Sequence, residues 1–347
     1  MKRIILSLIL LLHISTVPAQ IGGGAIFPFL EIPASARVAA LGGTFISVKD
    51  HDLSLGMQAP SLLNPEMSKT LSLSAVTYPD GVKFGDAAFA YSKEKLGTFM
   101  AGIHYVNYGD FPETDNFGNT NGTFRAADYD LQLGWGYQYN PLFSVGAALK
   151  AIYSDYYIYN AFGLAADISA TYCDTASQFT ATLEGRNIGK TLHNYIQDNN
   201  EPLPGEALIG VSKRLRHTPL RFNLTYRHLE KFDVAYSDPL DLGDVDPLTG
   251  IAEQKKINFF NKLSRHFIVA SEIMLSKNFH LRVAYNFERR RELSIDSRPG
   301  LVGMSFGAGI KISKFVLGYG WAKYHLASAA NHFSISTNLA EFSHRAN

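Results

Sequence analysis

The chain is expected to be all-β: a transmembrane outer-membrane β-barrel of about fourteen antiparallel strands with a short N-terminal helical plug. Three observations lead there. After residue 68 the sequence becomes a run of segments, each about ten residues long, in which apolar and polar residues alternate, and a period of two marks a strand with two different faces. The connections between segments then take turns between short and long, as tight periplasmic turns and longer outer loops do in such barrels. Finally, 18 Tyr and 23 Phe are an aromatic excess that a membrane barrel explains, because aromatic side chains form girdles at both of its interfaces.

Composition removes several other classes. A length of 347 residues would suit two soluble domains, but one barrel absorbs it all,. With 32 basic against 31 acidic residues there is no concentrated positive field, so no nucleic-acid partner is expected. The single Cys173 excludes an intramolecular disulfide and any multi-Cys metal site,. A mean hydropathy near zero is too low for a bundle of apolar membrane-spanning helices.

Taken in order, residues 1–19 have the parts of a secretory signal peptide: Lys2 and Arg3, an apolar run from Ile4 to Leu12, and Val17, Pro18 and Ala19 before Gln20,. The run is shorter than the roughly 20 residues a spanning helix needs, so cleavage is expected. No Cys follows the exit, which argues against an N-terminally acylated lipoprotein. Residues 20–66 break the strand pattern. Pro33, Ser35, Val38, Ala39, Ala40 and Leu41 read as a short helix, and Ser61 to Met67 as another,. A lumen of about fourteen strands is wider than wall side chains fill, which makes this stretch a candidate plug. The alternative, a mobile periplasmic tail, is disfavoured by its apolar content.

Residues 67–341 are assigned to the barrel. The segments run over 68–78, 83–93, 96–108, 124–139, 142–156, 160–173, 177–187, 206–215, 219–230, 266–276, 279–291, 299–312, 314–324 and 330–340. In one, Phe143, Val145, Ala147, Leu149, Ala151 and Tyr153 share a face, and Ser144, Gly146, Ala148, Lys150 and Ser154 the other. Soluble sandwiches also alternate. Length separates the two, since several segments reach the roughly nine to eleven residues that a tilted strand needs to cross a bilayer. So do the connections: Asn140 with Pro141, Lys277 with Asn278, and Ser313 are tight, whereas 109–123, 188–205, 231–265 and 292–298 are long. Girdle positions are expected at Tyr105, Tyr108, Tyr137, Tyr139, Tyr153, Tyr156, Tyr157 and Tyr159,.

The run FPFLEIPASARVAALGG from Phe27, followed by DHDLSLGMQAPSLLNPE from Asp50, resembles the start of the PorV/PorQ family, outer-membrane components of the type IX secretion system of Bacteroidota. Phe29, Leu30, Pro33, Ser35, Ala36, Arg37, Ala40, Leu41, Gly42, Gly43, Asp50, Asp52, Asn64 and Pro65 carry the resemblance over about forty residues. That family is similar in architecture to the FadL fatty-acid transporters, with fourteen strands and an N-terminal plug. The resemblance implies a non-enzymatic, multi-pass outer-membrane subunit of the attachment complex. Such a subunit anchors a PorZ-like surface protein for cargo maturation and attachment, with the PorU sortase and the PorV barrel in the same complex. The tail at 342–347 departs from the usual barrel ending, because Phe342 is followed by five more residues.

Few residues suggest chemistry, and neither a catalytic residue, nor a cofactor, nor a metal is expected. Gly303 to Gly307 match G-x-S-x-G, but Ser305 lies within an alternating strand rather than on a strand-to-helix elbow,. Asp233, Asp238, Asp241, Asp244 and Asp246 lack the spacing of a calcium loop and read as a solvated acidic stretch,. Arg289, Arg290 and Arg291, at the outer end of a strand, are candidates for lipopolysaccharide phosphates, for which Arg forks are suited, or are simply a solvated strand end. The long connection 231–265 carries Leu240, Leu242, Phe259 and Phe260 among charged residues, a mixture suited to a protein partner,. These four are the candidate partner contacts, with 188–205 beside them. The alternative is a lid packed on the barrel's own mouth.

The rival function is a FadL-like transporter of a hydrophobic small molecule. A transporter wants an apolar passage, yet the inward faces carry Asp130, Lys150, Asp167, Glu184, Arg186, Arg221, Arg227, Glu272, Arg282 and Lys311. A general porin would need an open channel, which the plug would block.

Overall fold

The computed structural model describes residues 25–78, 81–196, 201–235, 242–245, 252–254, 257–294, 300–324 and 329–343. The signal segment 1–19, Leu240 and the end of the tail from 344 lie outside them. The strands are β1 (Thr70–Thr77), β2 (Lys83–Lys93), β3 (Gly97–Thr114), β4 (Thr120–Gln138), β5 (Phe143–Tyr156), β6 (Tyr159–Asp174), β7 (Phe179–His193), β8 (Glu206–Arg214) and β9 (Leu220–Tyr226). They continue with β10 (Leu242–Val245), β11 (Ala252–Gln254), β12 (Phe267–Met274), β13 (Phe279–Asn286), β14 (Met304–Ile312), β15 (Phe315–Lys323) and β16 (Ala329–Asn338).

Fourteen of these, β1–β9 and β12–β16, pair antiparallel in sequence order, and β16 returns to β1 through Thr70 opposite Asn338. The sheet is therefore a closed barrel without an edge, the expected fold class, while β10 and β11 form a separate ribbon in the β9–β12 connection. No helix among the described residues is long and apolar enough to cross a membrane, which says nothing against crossing by strands.

Alternation decides which face each residue takes. On β5, Leu149 is 66% exposed on the outside, whereas Ser144, Lys150 and Ser154 are buried inside. An outer wall of exposed Leu, Ile and Phe is stable only against lipid. At the end with the long connections, here the outer mouth, Tyr105, Tyr129 and Tyr153 stand side by side on β3, β4 and β5, with ring centroids 5.0 and 6.3 Å apart. At the other end Trp135 stacks on Tyr137 at 6.0 Å. Tyr108 and Tyr156, expected in the girdle, instead turn inward. Each follows the inward parity of its own strand, Tyr156 that of Ser154 on β5 and Tyr108 that of His104 and Val106 on β3.

Several boundaries differ from expectation. The stretch 109–123 is largely strand, because β3 and β4 continue as a hairpin beyond the girdle, where alternation no longer separates lipid from lumen. β7 likewise runs on to His193. The segment expected over 279–291 ends at Asn286, whose side chain accepts from Arg289 N at 2.9 Å and starts a helix, Phe287–Leu293. Of the two N-terminal helices, the first is α1 (Ala36–Ala40). The second is replaced by α2 (Leu53–Gln58), capped by Asp52, and two single turns at Pro60–Leu62 and Pro65–Met67, each opened by a Pro suited to a first helical position,. The later helices are α3 (Phe259–Arg265), α4 (Phe287–Leu293) and α5 (Ala340–Ser343).

Candidate functional site

The stretch from Ile26 to Met67 descends inside the barrel from the outer mouth to the opposite end. At the top, Ile26 N donates to Pro202 O at 3.0 Å. Phe27 and Phe29 fill an apolar chamber lined by Val76, Phe84, Val106, Ile152, Ala161 and Ala165. Phe29 stacks on His104 at 5.8 Å, and Phe27 is held with φ 61°, a left-handed conformation that an aromatic residue keeps only when its surroundings fix it,. Below, α1 lies against β14–β16, with Ala36 N donating to Ser334 Oγ at 2.8 Å. Gly320 lets the helix approach, since a Cβ there would overlap Ala36 O. Farther down, Ser61 N donates to Ser169 Oγ, and Ser144 Oγ to Ser61 O, both at 2.8 Å. Phe27, Phe29, Leu41, Phe45, Leu53 and Leu62 are fully buried, so this segment packs inside the lumen along its length.

Two ion clusters fasten this plug. In the first, Arg37 meets Asp50 at 2.8 Å, Asp52 at 3.1 Å and Glu272 of β12 at 3.1 Å, while Glu272, 1% exposed, also receives Arg221 at 2.7 Å and Arg282 at 3.1 Å. Three guanidinium groups on one carboxylate are fork-type, charge-assisted bonds. Removing one partner of such a buried set costs about 3–5 kcal/mol, because it strands the other charge. In the second, at the outer mouth, Glu206 accepts from Arg186 and, at 2.6 Å, from Arg227. Arg227 also reaches Glu288 at 3.1 Å and Glu31 of the plug at 3.5 Å. His228 lies 3.1 Å from Glu230 and 3.6 Å from Glu288. Burial opposes its charge, but hydrogen bonding to those two carboxylates prevails and raises its pKa to about 9,.

Other inward groups complete the interior. Lys150 joins Asp167 at 2.7 Å and Asn187 at 2.9 Å. Asn187 sits at a bulge of β7 with φ 54°, where one strand turns an extra residue inward,. Asp128 accepts hydroxyls from Tyr108 at 2.6 Å, Tyr156 at 2.8 Å and Ser154. Both oxygens of Glu184 are buried without a hydrogen-bond partner. Ser305 of the G-x-S-x-G match is buried on the lumen side as the second residue of β14, and strand rather than an elbow follows it.

Of the candidate contact residues, Phe259 and Phe260 stand side by side, with ring centroids 5.8 Å apart. Phe259 and Phe260 open α3, 59% and 77% exposed. Leu242 begins β10, and Leu240 is outside the described residues. The three arginines lie on α4, not at a strand end: Arg289 turns in, with its guanidinium 4.2 Å from the Tyr324 ring centre and Nη2 donating to Gly42 O. Arg290 donates to Gly300 O at 2.9 Å, and Arg291 stays exposed. The three arginines thus have unlike surroundings, Arg289 turned inward, Arg290 partly exposed and Arg291 exposed. Among the described residues no group of acidic or histidine side chains is placed to hold a metal ion. Sequence reasoning missed the Arg37–Glu272 clamp, the Asp128 node and the Phe27–Phe29 chamber. Asn187, interrupting an alternating stretch, was the one local sign of the bulge.

No protein-family model matches the chain, and no curated protein matches it. Solved structures do. The toluene transporter TbuX of Ralstonia pickettii is similar with a TM-score of 0.52 and 13% identity, over 89% of this chain and 99% of that one. A TodX deltaS2S3 mutant, a monoaromatic hydrocarbon channel, gives 0.51 and 12%, over 88% and 99%. A Pseudomonas aeruginosa FadL homologue gives 0.47 and 10%, over 88% and 98%. At such identities the likeness speaks for architecture alone: the fold is that of outer-membrane β-barrels.

Proposed function

We propose that the chain is a closed, non-enzymatic, multi-pass barrel of a bacterial outer membrane that serves as the membrane-embedded subunit of a surface assembly. Its N-terminal resemblance to the PorV/PorQ family supports, as the specific form of this reading, a type IX secretion attachment complex in which it holds a PorZ-like protein beside a PorU sortase and a PorV barrel. The observation that carries the reading is the ionic clamp of Arg37, Asp50 and Asp52 on Glu272, which fastens the plug where a passage would have to run. A barrel that fills its own lumen acts through what it displays. The β3–β4 hairpin rises beyond the tyrosine girdle, carrying Phe117, 90% exposed, at its tip, and Ile158 and Ile196 are exposed on other outer connections. Exposed apolar residues grouped in this way mark interaction sites.

Replacing residues 110–124 with a two-residue Asn-Gly turn keeps the barrel pairing below Asn107. Purified from native outer membranes, this variant is expected to remain heat-modifiable and to lose its surface partners. Retention of the full partner set by the shortened barrel would overturn this docking surface.

The fold likeness favours a second reading, a transporter of a hydrophobic small molecule, because two of the similar structures are a toluene transporter and a monoaromatic hydrocarbon channel. The apolar chamber in the outer half of the lumen is the feature of this chain that such a reading would use. Phe27 and Phe29 occupy it, so transport would require both to leave.

A further inference from the structure

The β9–β12 connection carries a column of stacked rings that begins on the outside of the barrel. Tyr226, at the outer end of β9, faces outward beside Phe267, with ring centroids 5.1 Å apart. His266 stacks on Tyr226 at 4.8 Å with the planes 3° apart, and its ring nitrogens lie 2.7 and 2.9 Å from the carbonyl oxygens of Arg227 and Phe232. Phe232 continues the stack at 5.9 Å, Phe259 follows at 5.3 Å, and Phe260 meets Phe259 edge-on at 5.8 Å. Exposure grows along the column, from a fully buried His266 to Phe260.

This geometry does not suit a lid. A lid would carry its aromatics down into the lumen, whereas these rings prolong the outward-facing girdle. The polar side of α3 is already tied to neighbouring elements, Lys262 to Asp233 and Arg265 to Glu292 of α4. What remains untied is an apolar face continuous with the lipid-facing wall, and Leu293 and Leu301 add exposed apolar area on the neighbouring connection. A short helix with one tied polar side and one aromatic side, level with a membrane boundary, has the character of an interfacial element. Arg291, exposed on α4, supplies a cation there,.

We propose that α3 is an interfacial foot: Phe232, Phe259 and Phe260 seat in the outer leaflet against the acyl chains of lipopolysaccharide, in place of the protein contact expected of Phe259 and Phe260. The proposal stands apart from the docking surface on the β3–β4 hairpin, and either can fail without the other. It is tested by placing the photo-crosslinker benzoylphenylalanine at position 260 and, separately, at position 117 in the full chain in native outer membranes. The expected result is a lipopolysaccharide adduct from position 260 and none from 117. A protein adduct from 260, or no adduct at all, would overturn it. A second measurement guards against loss of crosslinking efficiency. In a chain with Trp135→Phe and Trp321→Phe, a Phe260→Trp probe reconstituted in vesicles containing lipopolysaccharide and acyl-brominated phospholipid should lose emission by roughly twofold or more, as expected of a ring buried at the acyl boundary. Unquenched, water-like emission would count against the foot as firmly as a protein adduct.

Discussion

Neighbouring residues of one strand answer to different solvents, and β5 gives the sharpest contrast. Leu149 looks into lipid, so Leu149→Arg places a charge near mid-membrane and should cost about 2–4 kcal/mol of barrel stability. Ser144 points the other way and donates to Ser61 O of the plug. Ser144→Arg has no room beside Ser61, so it should unseat the plug and expose residues 50–66 to protease while leaving the barrel transition nearly in place. Equilibrium unfolding in vesicles, combined with limited proteolysis, separates the two; equal destabilisation with a protected plug in both would contradict the facing assignment. At this scale the sequence was legible wherever period two held. It misled at Tyr108 and Tyr156, because the girdle was read from tyrosine content, whereas both residues carry the inward parity of their strands, β3 and β5. Pairings such as Arg37 with Glu272 were not legible, since nothing local links residues 235 positions apart.

Elements were readable where the membrane imposes two unlike faces and less so where the chain leaves it. β2 was expected over the range it occupies, whereas β3, β4 and β7 extend past their expected ends, and Arg289 to Arg291 belong to a helix started by the Asn286 cap. Above the girdle both faces of a strand meet water, so the pattern fades although the hydrogen bonding continues. The outer cap formed by α4 and the start of the β9–β12 connection carries a pH dependence with a definite sign. With its folded pKa raised to about 9, against about 6.5 in an unfolded chain, His228 contributes stability that is fully present below the lower value and is lost as pH rises through the upper one. Glu230, Glu288 and Glu206 face it, with Arg227 opposing. Corrected for the intrinsic pH dependence of amide exchange, the protection of residues 227–235 and 287–294 should therefore fall between about pH 6.5 and 9, and His228→Gln should flatten that change. A parent protein with a flat profile over that range would show that His228 does not hold the cap.

For the whole molecule, closure and filling are separate achievements. The barrel closes through backbone pairing from β1 to β16, which owes nothing to the plug, while the lumen is filled by a segment attached through side chains: the apolar wedge of Phe27 and Phe29 at the top and the Arg37–Glu272 clamp below. That division lets the two functional readings be separated in one experiment. Phe27→Ala with Phe29→Ala empties the apolar chamber, at about 3–5 kcal/mol for each buried ring lost, but leaves the clamp intact. Deleting residues 26–66 removes both. If the barrel works as a closed subunit, the double substitution should leave planar-bilayer conductance and cellular toluene entry at the parent level, and only the deletion should open a conducting pore. If it works as a transporter held shut by its own aromatics, the double substitution alone should raise toluene entry, since vacating the chamber is the step that reading requires. The clamp decides the expectation: with Arg37 still bound by Asp50, Asp52 and Glu272, the lower lumen stays filled whatever happens above it. We therefore expect the substituted protein to remain closed, and toluene entry raised by those two alanines would reverse the assignment.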